Sequence, residues 1–240
     1  LRRQRQMCIR DSIERVPLAE RIEKAVITVL NRRVQATFDE ILREIFVTFT
    51  NSLTPDQQSI KDVLKEYARP IKGKWMLRPE FRALEGYHGR IVGILASLGL
   101  KTGFKIWIAL NEQSKIDEEL RKKIDKSLSL PIPKENLDRV KEIDVLWLYK
   151  DKIAYEFEVE NTTAITEAIV RGANIPTEAT RRVLVIPRER EKLLHRRVSE
   201  PALRERVASD KWRFMFYSDI EAFFDMWKTK SSVSLDAFSK

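Results

Sequence analysis

The segment of residues 142–161, which reads E-I-D-V-L-W-L-Y-K-D-K-I-A-Y-E-F-E-V-E-N, constrains the fold more than any other part of the chain. Two apolar-rich runs, Ile143 to Tyr149 and Ile153 to Val159, are separated by the short polar link Lys150-Asp151-Lys152. Runs of this length on either side of a short polar link are typical of a β-hairpin. The segment therefore predicts two adjacent antiparallel strands.

Acidic side chains recur along this predicted hairpin. Because side chains alternate across a strand, Glu156, Glu158 and Glu160 share one face, and Asp144 can join them from the neighbouring strand. Like charges repel unless a cation lies among them, and a divalent metal such as Mg²⁺, which takes carboxylate oxygens, is the simplest cation. The alternative is the solvated acidic face of an edge strand. The apolar residues on both sides of Asp144 favour a paired or ligating acid.

These residues resemble a known family. Ile143-Asp144, a hairpin and then Phe157-Glu158-Val159-Glu160 are similar to the motif of the PD-(D/E)XK nuclease superfamily, which has the restriction-endonuclease-like fold. Matched position by position, Asp144 is the first acid of the motif and Glu158 is the second. Glu160 stands in the place of the lysine, as it does in some restriction enzymes of the superfamily.

The resemblance implies a Mg²⁺- or Mn²⁺-dependent endonuclease that hydrolyses DNA. Asp144, Glu158 and the backbone carbonyl of Val159 would hold the metal. Glu160 would either bind a second metal or hold the attacking water.

Two further residues are candidates for the site, and each also has an alternative role outside it. Glu85 is a candidate for an additional acid near the metal, and the alternative is a surface hydrogen-bonded pair with His88. Arg171 would contact the scissile phosphate or an active-site acid, and the alternative is an ion pair with Glu167 one helical turn earlier.

The segments around the hairpin follow the order of the superfamily core, and the resemblance covers residues 80–228. Apolar periodicity and capping signals predict a helix, a strand, the hairpin, a helix, a strand, a helix, a strand and a final helix. The corresponding segments are a long helix after Pro79, Phe104 to Leu110, the hairpin, a helix capped by Thr162-Thr163, Arg182 to Pro187, Arg188 to Ser209 interrupted at Pro201, Lys211 to Tyr217, and a helix opened by a capping box at Ser218. The predicted fold class is α/β, a restriction-endonuclease-like mixed β-sheet flanked by helices.

Residues 17–79 form a separate predicted domain. Three amphipathic helices, the second capped by Thr37 and the third by Thr54, are followed by a basic ribbon, and this arrangement resembles a winged helix-turn-helix domain. The third helix and the ribbon would then contact DNA, and the alternative is a domain used only for protein contacts. The candidate DNA-binding residues are Gln57, Gln58, Lys61, Lys65, Lys72, Lys74 and Arg78.

Composition limits the compartment and the partners. A net charge of +9 suits a polyanionic partner, and the single cysteine excludes a disulfide framework. No run has the roughly 18 apolar residues of a membrane span, so a cytoplasmic protein is expected. Residues 1–16 are predicted to be a disordered or artefactual leader, and residues 229–240 a frayed tail. The competing interpretation is a catalytically inactive nucleic-acid-binding or regulatory protein, while a DNA methyltransferase partner and a homodimer stay open.

Overall fold

The computed structural model describes residues 17–49, 54–82, 86–130, 132–160, 165–172, 175 and 180–229. The predicted leader and most of the predicted tail therefore lie outside the described residues, as do the predicted helix caps Thr162 and Thr163. The chain divides into two compact units with a boundary between residues 83 and 84. Among the described residues, no helix is both long and apolar enough to cross a membrane.

The first unit consists of three helices followed by a hairpin. Its elements are α1 (Leu18–Arg33), α2 (Phe38–Thr48), α3 (Gln57–Tyr67), β1 (Ala68–Ile71) and β2 (Lys74–Leu77). Their apolar faces meet in one core that includes Val26, Ile41 and Ile60. The capping box predicted at Thr37 is confirmed, because its side chain accepts from the Glu40 amide and the Glu40 carboxylate accepts from the Thr37 amide.

Two predictions for this unit are corrected. Helix α3 begins after Asp56, whose side chain accepts from the Ser59 amide, so Asp56 and not Thr54 is the N-cap. The basic ribbon, predicted as a single strand-like piece, contains the turn and the second strand of a two-stranded antiparallel hairpin. Lys72 and Gly73 both have positive φ, as a two-residue hairpin turn of this hand requires. An isolated bridge between Ala36 and Trp75 attaches the α1–α2 connection to the hairpin.

The second unit is built on a mixed sheet. Its strands are β3 (Lys105–Ile108), β4 (Val145–Tyr149), β5 (Lys152–Val159), β6 (Arg181–Ile186) and β7 (Arg213–Phe216), and they lie side by side in this order. Its helices are α4 (Tyr87–Lys101), α5 (Glu118–Arg121), α6 (Lys134–Val140), α7 (Ile165–Gly172), α8 (Glu191–Ser199), α9 (Pro201–Ser209) and α10 (Tyr217–Thr229). Strands β3, β4 and β5 are antiparallel neighbours, whereas β5, β6 and β7 run parallel.

Helices cover both faces of this sheet, so a mixed α/β fold is confirmed. One face packs Trp147 and Phe157 against α4 and α10. The other face packs Leu184 and Ile186 against α7, α8 and α9, while α6 helps to cover Leu146 and its neighbours. The predicted break at Pro201 separates α8 from α9. Helix α10 begins at Tyr217, so the capping box predicted at Ser218 is wrong.

Candidate active site

The predicted antiparallel hairpin is confirmed, and it brings Asp144 opposite Glu158. Val145 pairs with Phe157, so Asp144, immediately before β4, stands across from Glu158 near the end of β5. Asp144 is buried, and its Oδ2 accepts a hydrogen bond of 2.8 Å from the Val159 amide. This bond ties the first acid of the motif to the strand that bears the second.

Glu158 is fully buried and is held by Arg171 of α7. The Arg171 Nε and one terminal nitrogen each donate to a different Glu158 oxygen at 2.8 Å, which is a bidentate ion pair. Arg171 also lies 3.9 Å from Glu167. Of the contacts expected for Arg171, the one with an acid of the motif is therefore the closer, and the ion pair with Glu167 is a longer second contact.

Glu156 has a similar cationic neighbour. It is fully buried, and its Oε2 lies 3.3 Å from the Nε of Arg182, which is also buried. Gly172 allows this arrangement, because a side chain at residue 172 would collide with the Glu156 carboxylate. Burial, followed by the charge of Glu158, raises the pKa of Glu156 well above its ordinary value.

The expectation that a cation lies among these acids is met by side chains for two of them, whereas a metal was the simplest cation to expect from the sequence. Two arginines lie among the carboxylates, one against Glu156 and one against Glu158. The alternative of a solvated acidic face is wrong for both residues, because neither is exposed.

A histidine and a glutamate that the sequence motif does not contain approach Asp144 from another side. His88 Nε2, in the first turn of α4, lies 2.9 Å from Glu112 Oε2 and 3.8 Å from Asp144 Oδ1. Lys115 Nζ and the Asn111 amide contact the other Glu112 oxygen at 2.8 and 3.0 Å. Glu85 lies outside the described residues, and His88 pairs with Glu112.

Burial and the mutual contacts of these groups shift their pKa values. Burial raises the pKa of Asp144 to about 6 and that of Glu158 to about 8, the latter against the opposing effect of Arg171. Burial alone would lower the pKa of His88, but contact with Glu112 and the charge of Asp144 raise it. The pKa of Glu112 is lowered, because His88 and Lys115 outweigh its burial.

Glu160 and Tyr217 lie where the parallel strands end. The Glu160 amide donates to the Val185 carbonyl of β6, and Tyr217 follows directly after β7. The Tyr217 hydroxyl is buried and makes no hydrogen bond within the part of the chain that the structure describes. Burial, followed by the negative charge of Glu160, raises the pKa of this phenol, so it remains a donor at neutral pH.

We expect Tyr217→Phe to leave the free energy of unfolding unchanged or to raise it by about 1 kcal/mol, because it removes an unsatisfied buried hydroxyl. Tyr155→Phe is the control, since the Tyr155 hydroxyl accepts from Arg181 at 2.5 Å. The control should lower stability by about 1 kcal/mol. Chemical denaturation of both variants measures this, and an equal loss in the two would show that Tyr217 is hydrogen-bonded.

All seven candidate DNA-binding residues of the first unit are exposed. Several have intramolecular contacts: Gln58 and Lys65 both reach Asp62, at 2.8 and 3.1 Å, and Lys61 lies over the Phe38 ring. Arg78 donates to the Lys65 carbonyl at the end of α3. Gln57 on α3 and Lys72 and Lys74 on the hairpin complete the set.

Comparison with known proteins places the second unit in a family. The chain has no match among curated proteins or among solved structures. A family model described as the Type II restriction enzyme NmeDI C-terminal domain matches residues 80–237, which is more than half of the chain and includes every motif residue of the hairpin. The chain therefore belongs to the family of the Type II restriction enzyme NmeDI C-terminal domain.

Proposed function

We propose that the protein is a metal-dependent endonuclease that hydrolyses phosphodiester bonds of DNA. The observation that carries this proposal is the buried pair of Asp144 and Glu158, which face each other across the β4–β5 hairpin in a chain of a restriction-enzyme family. Two buried acids at the ends of neighbouring strands are expensive to place without a catalytic use. The PD-(D/E)XK motif and the restriction-endonuclease-like fold are part of this proposal.

The donor set around Asp144 suits a hard or borderline divalent ion such as Mg²⁺ or Mn²⁺. Asp144 Oδ1 faces the His88–Glu112 pair, and the three donor atoms lie within 4.8 Å of one another. The ligand set that the resemblance implies is a different one, which joins Asp144 to Glu158, the Val159 carbonyl, Glu160 and Glu85. When bound, the ion would neutralise the phosphate and lower the pKa of a water.

The protein side chains have distinct roles in this proposal. Arg171 supplies a positive charge beside Glu158, where the commoner motif has a lysine, and reaches the substrate phosphate if it leaves that carboxylate. Glu160, at the position of the lysine, holds the attacking water through its carboxylate. The buried Tyr217 hydroxyl, which follows β7, donates to an oxygen of the same water or phosphate.

The first unit is proposed to be a winged helix-turn-helix domain that holds DNA. Its order of helix, bridged residue, two helices and hairpin supports this assignment. Lys72 and Lys74 lie on the hairpin, exposed and within reach of a phosphate backbone. We propose residues 17–79 as the DNA-holding domain and residues 80–228 as the nuclease domain.

We expect the double variant Lys72→Gln/Lys74→Gln to bind DNA with a weaker salt dependence. Each phosphate contact releases counterions, so the logarithmic slope should fall by roughly one for each lysine lost. The control is Lys123→Gln/Lys126→Gln, which removes the same charge from exposed positions of the second unit. Equal slopes for the wild type and the hairpin variant would assign the hairpin to protein contacts.

One observation favours a second candidate function, a nuclease-like domain that binds nucleic acid without cutting it. Arg171 and Arg182 already lie against Glu158 and Glu156, so these two acids can be accommodated without a metal. In that case the arginines are structural, and the retained acids have no catalytic use.

The test is incubation of the full chain with plasmid and linear DNA of varied sequence in Mg²⁺ or Mn²⁺, with matched reactions in chelator. We expect cleavage only with metal. DNA that stays intact under every condition while still binding to the protein would favour the binding module.

A further inference from the structure

The site contains two possible ligand sets that share Asp144, and its contacts discriminate between them. Both Glu158 oxygens accept from Arg171 at 2.8 Å, and Asp144 Oδ2 accepts from the Val159 amide. In the set implied by the motif, an ion would therefore have to share the Glu158 oxygens with Arg171, whose positive charge opposes a second cation there. Asp144 Oδ1 lies on the other side, 3.8 Å from His88 Nε2.

The second set consists of Asp144 Oδ1, His88 and Glu112. Glu112 is only 3% exposed, and its Oε2 makes no hydrogen bond among the described residues although His88 Nε2 lies 2.9 Å away. His88 Nε2 likewise has no hydrogen bond of acceptable geometry. His88 Nε2 and Glu112 Oε2 thus lie at ion-pair distance without good hydrogen-bond geometry, beside Asp144 Oδ1, and a shared cation would bind all three atoms.

The local sequence brings these three residues together. Gly89 lets the start of α4 lie directly against the loop that contains Glu112, because a Cβ at residue 89 would stand 2.8 Å from the Lys115 backbone oxygen. Lys115 and Asn111 hold Glu112 Oε1 and so direct Oε2 towards His88. Contacts of this kind around a ligand fix its orientation and its affinity for metal.

We propose that His88, Glu112 and Asp144 together bind a divalent ion that accepts imidazole, with Mn²⁺ as its representative. One imidazole with two carboxylates suits Mn²⁺ and related ions better than the all-oxygen sets of Mg²⁺ and Ca²⁺. The inference deepens the proposed function and rests on it for the role of the ion as the nuclease cofactor.

The experiment is a titration of the purified full chain with Mn²⁺ in the absence of DNA, with free Mn²⁺ followed by electron paramagnetic resonance. His88→Ala is the decisive variant, and it should raise the Kd by about tenfold or more. His88 beside two acids is a cation itself when protonated, so its loss alone would strengthen cation binding electrostatically. Only ligation by His88 predicts weaker binding.

Two further variants separate the ligand sets. Glu158→Gln/Arg171→Gln removes the ion pair without changing net charge, and we expect it to keep the wild-type Kd. The matched histidine control is His195→Ala, because His195 also lies near a glutamate, 3.9 Å from Glu191, but on an exposed helix face. It should bind Mn²⁺ as the wild type does.

The chain has two histidines, so imidazole NMR gives a second and independent measurement of ligation by His88. Addition of one equivalent of diamagnetic Zn²⁺ should shift the ring nitrogens of one histidine, assigned as His88 by its loss in His88→Ala, and leave the other unchanged. Shifts in both histidines, or in neither, would overturn the proposal.

Loss of binding in Glu158→Gln/Arg171→Gln with retention in His88→Ala would also overturn it, in favour of the ligand set of the motif. These results are separable from the nuclease proposal. Mn²⁺ binding that depends on His88, in a protein that cuts no DNA, retains this site and removes the nuclease function. If His88→Ala still cuts DNA and binds Mn²⁺ with unchanged affinity, the nuclease function is retained and this metal site is removed.

Discussion

Asp144→Asn is expected to reduce metal-dependent DNA cleavage by about a thousandfold or more, because Asp144 belongs to both candidate ligand sets. A loss of this size corresponds to roughly 4 kcal/mol of transition-state stabilisation. The amide oxygen of asparagine can still accept from the Val159 amide, so the hairpin contact at 2.8 Å can persist. Initial rates of plasmid nicking in Mg²⁺ and Mn²⁺ measure the effect.

The same variant should be at least as stable as the wild type in chelator. Burial raises the pKa of Asp144 from 3.8 to about 6, so ionising this carboxyl opposes folding by up to about 3 kcal/mol. The sign follows from this shift: ionisation of Asp144 lowers the stability of the wild type as pH rises from about 4 to about 6, and the variant lacks this contribution. Melting curves should therefore coincide near pH 4 and separate above pH 6, with the variant higher.

The opposite outcome has a clear meaning. If Asp144 were a structural partner of a buried cation, its neutralisation would lower stability by several kcal/mol at neutral pH. A protein that cuts no DNA and whose Asp144→Asn variant melts far below the wild type would be a binding module. Asp219→Asn is a suitable control, because it neutralises a partly exposed acid paired with Arg188.

Local pattern predicted the strands of the second unit but not all of its helices. Alternation of apolar and polar residues predicted the strands around Ile106 and Phe214, an apolar run predicted the one around Val185, and the structure has strands at each. Helix α6 was not predicted, because Pro131 and Pro133 indicate an extended link and only seven residues follow in the helix. Helix starts were predicted less accurately, because Asp56 and Thr54 are both good N-cap residue types; in the structure Asp56 caps the helix and the Thr54 hydroxyl donates to the Phe49 carbonyl.

The site was predicted less completely than the strands. The hairpin register, which the alternation indicates, placed Asp144 opposite Glu158. The pairing of His88 with Glu112 joins a helix terminus to a distant loop, and no periodicity encodes it. The best sequence signal for this pairing was Gly89, next to His88. A glycine there indicates a close backbone approach but does not indicate which segment approaches.

The arginine partners show why charge patterns in a sequence are ambiguous. Three alternating glutamates repel one another unless a cation lies among them, and that cation can be a metal or the side chain of an arginine from elsewhere in the fold. Arg171 reaches Glu158 from α7, so its contact depends on how close α7 lies to β5, whereas Arg182 lies beside Glu156 on the neighbouring parallel strand β6. Gly172 permits that close approach.

Arg171→Gln is expected to lower the free energy of unfolding by about 3–5 kcal/mol above about pH 8, where Glu158 is ionised, since it leaves that carboxylate buried without its guanidinium partner. Glu158→Gln/Arg171→Gln should recover most of the loss, because neither charge then remains buried. The surface control is Arg188→Gln, which breaks an exposed pair with Asp219 and should cost less than about 1 kcal/mol.

The loss in Arg171→Gln should also grow with pH. Burial raises the folded-state pKa of Glu158 from 4.5 to about 8. The neutral form of this carboxyl therefore makes its full contribution to the free energy of unfolding below about pH 4.5, and that contribution is lost as pH rises through 8. Without Arg171, which opposes this rise, the pKa moves higher still and the decline continues into more alkaline solution. Denaturation between pH 5 and 10 should therefore show the variant and the wild type losing stability in parallel up to about pH 7 and diverging above about pH 8. A constant difference across this range would mean that Arg171 stabilises the fold by packing and neutral hydrogen bonds, and that Glu158 is not ionised against it.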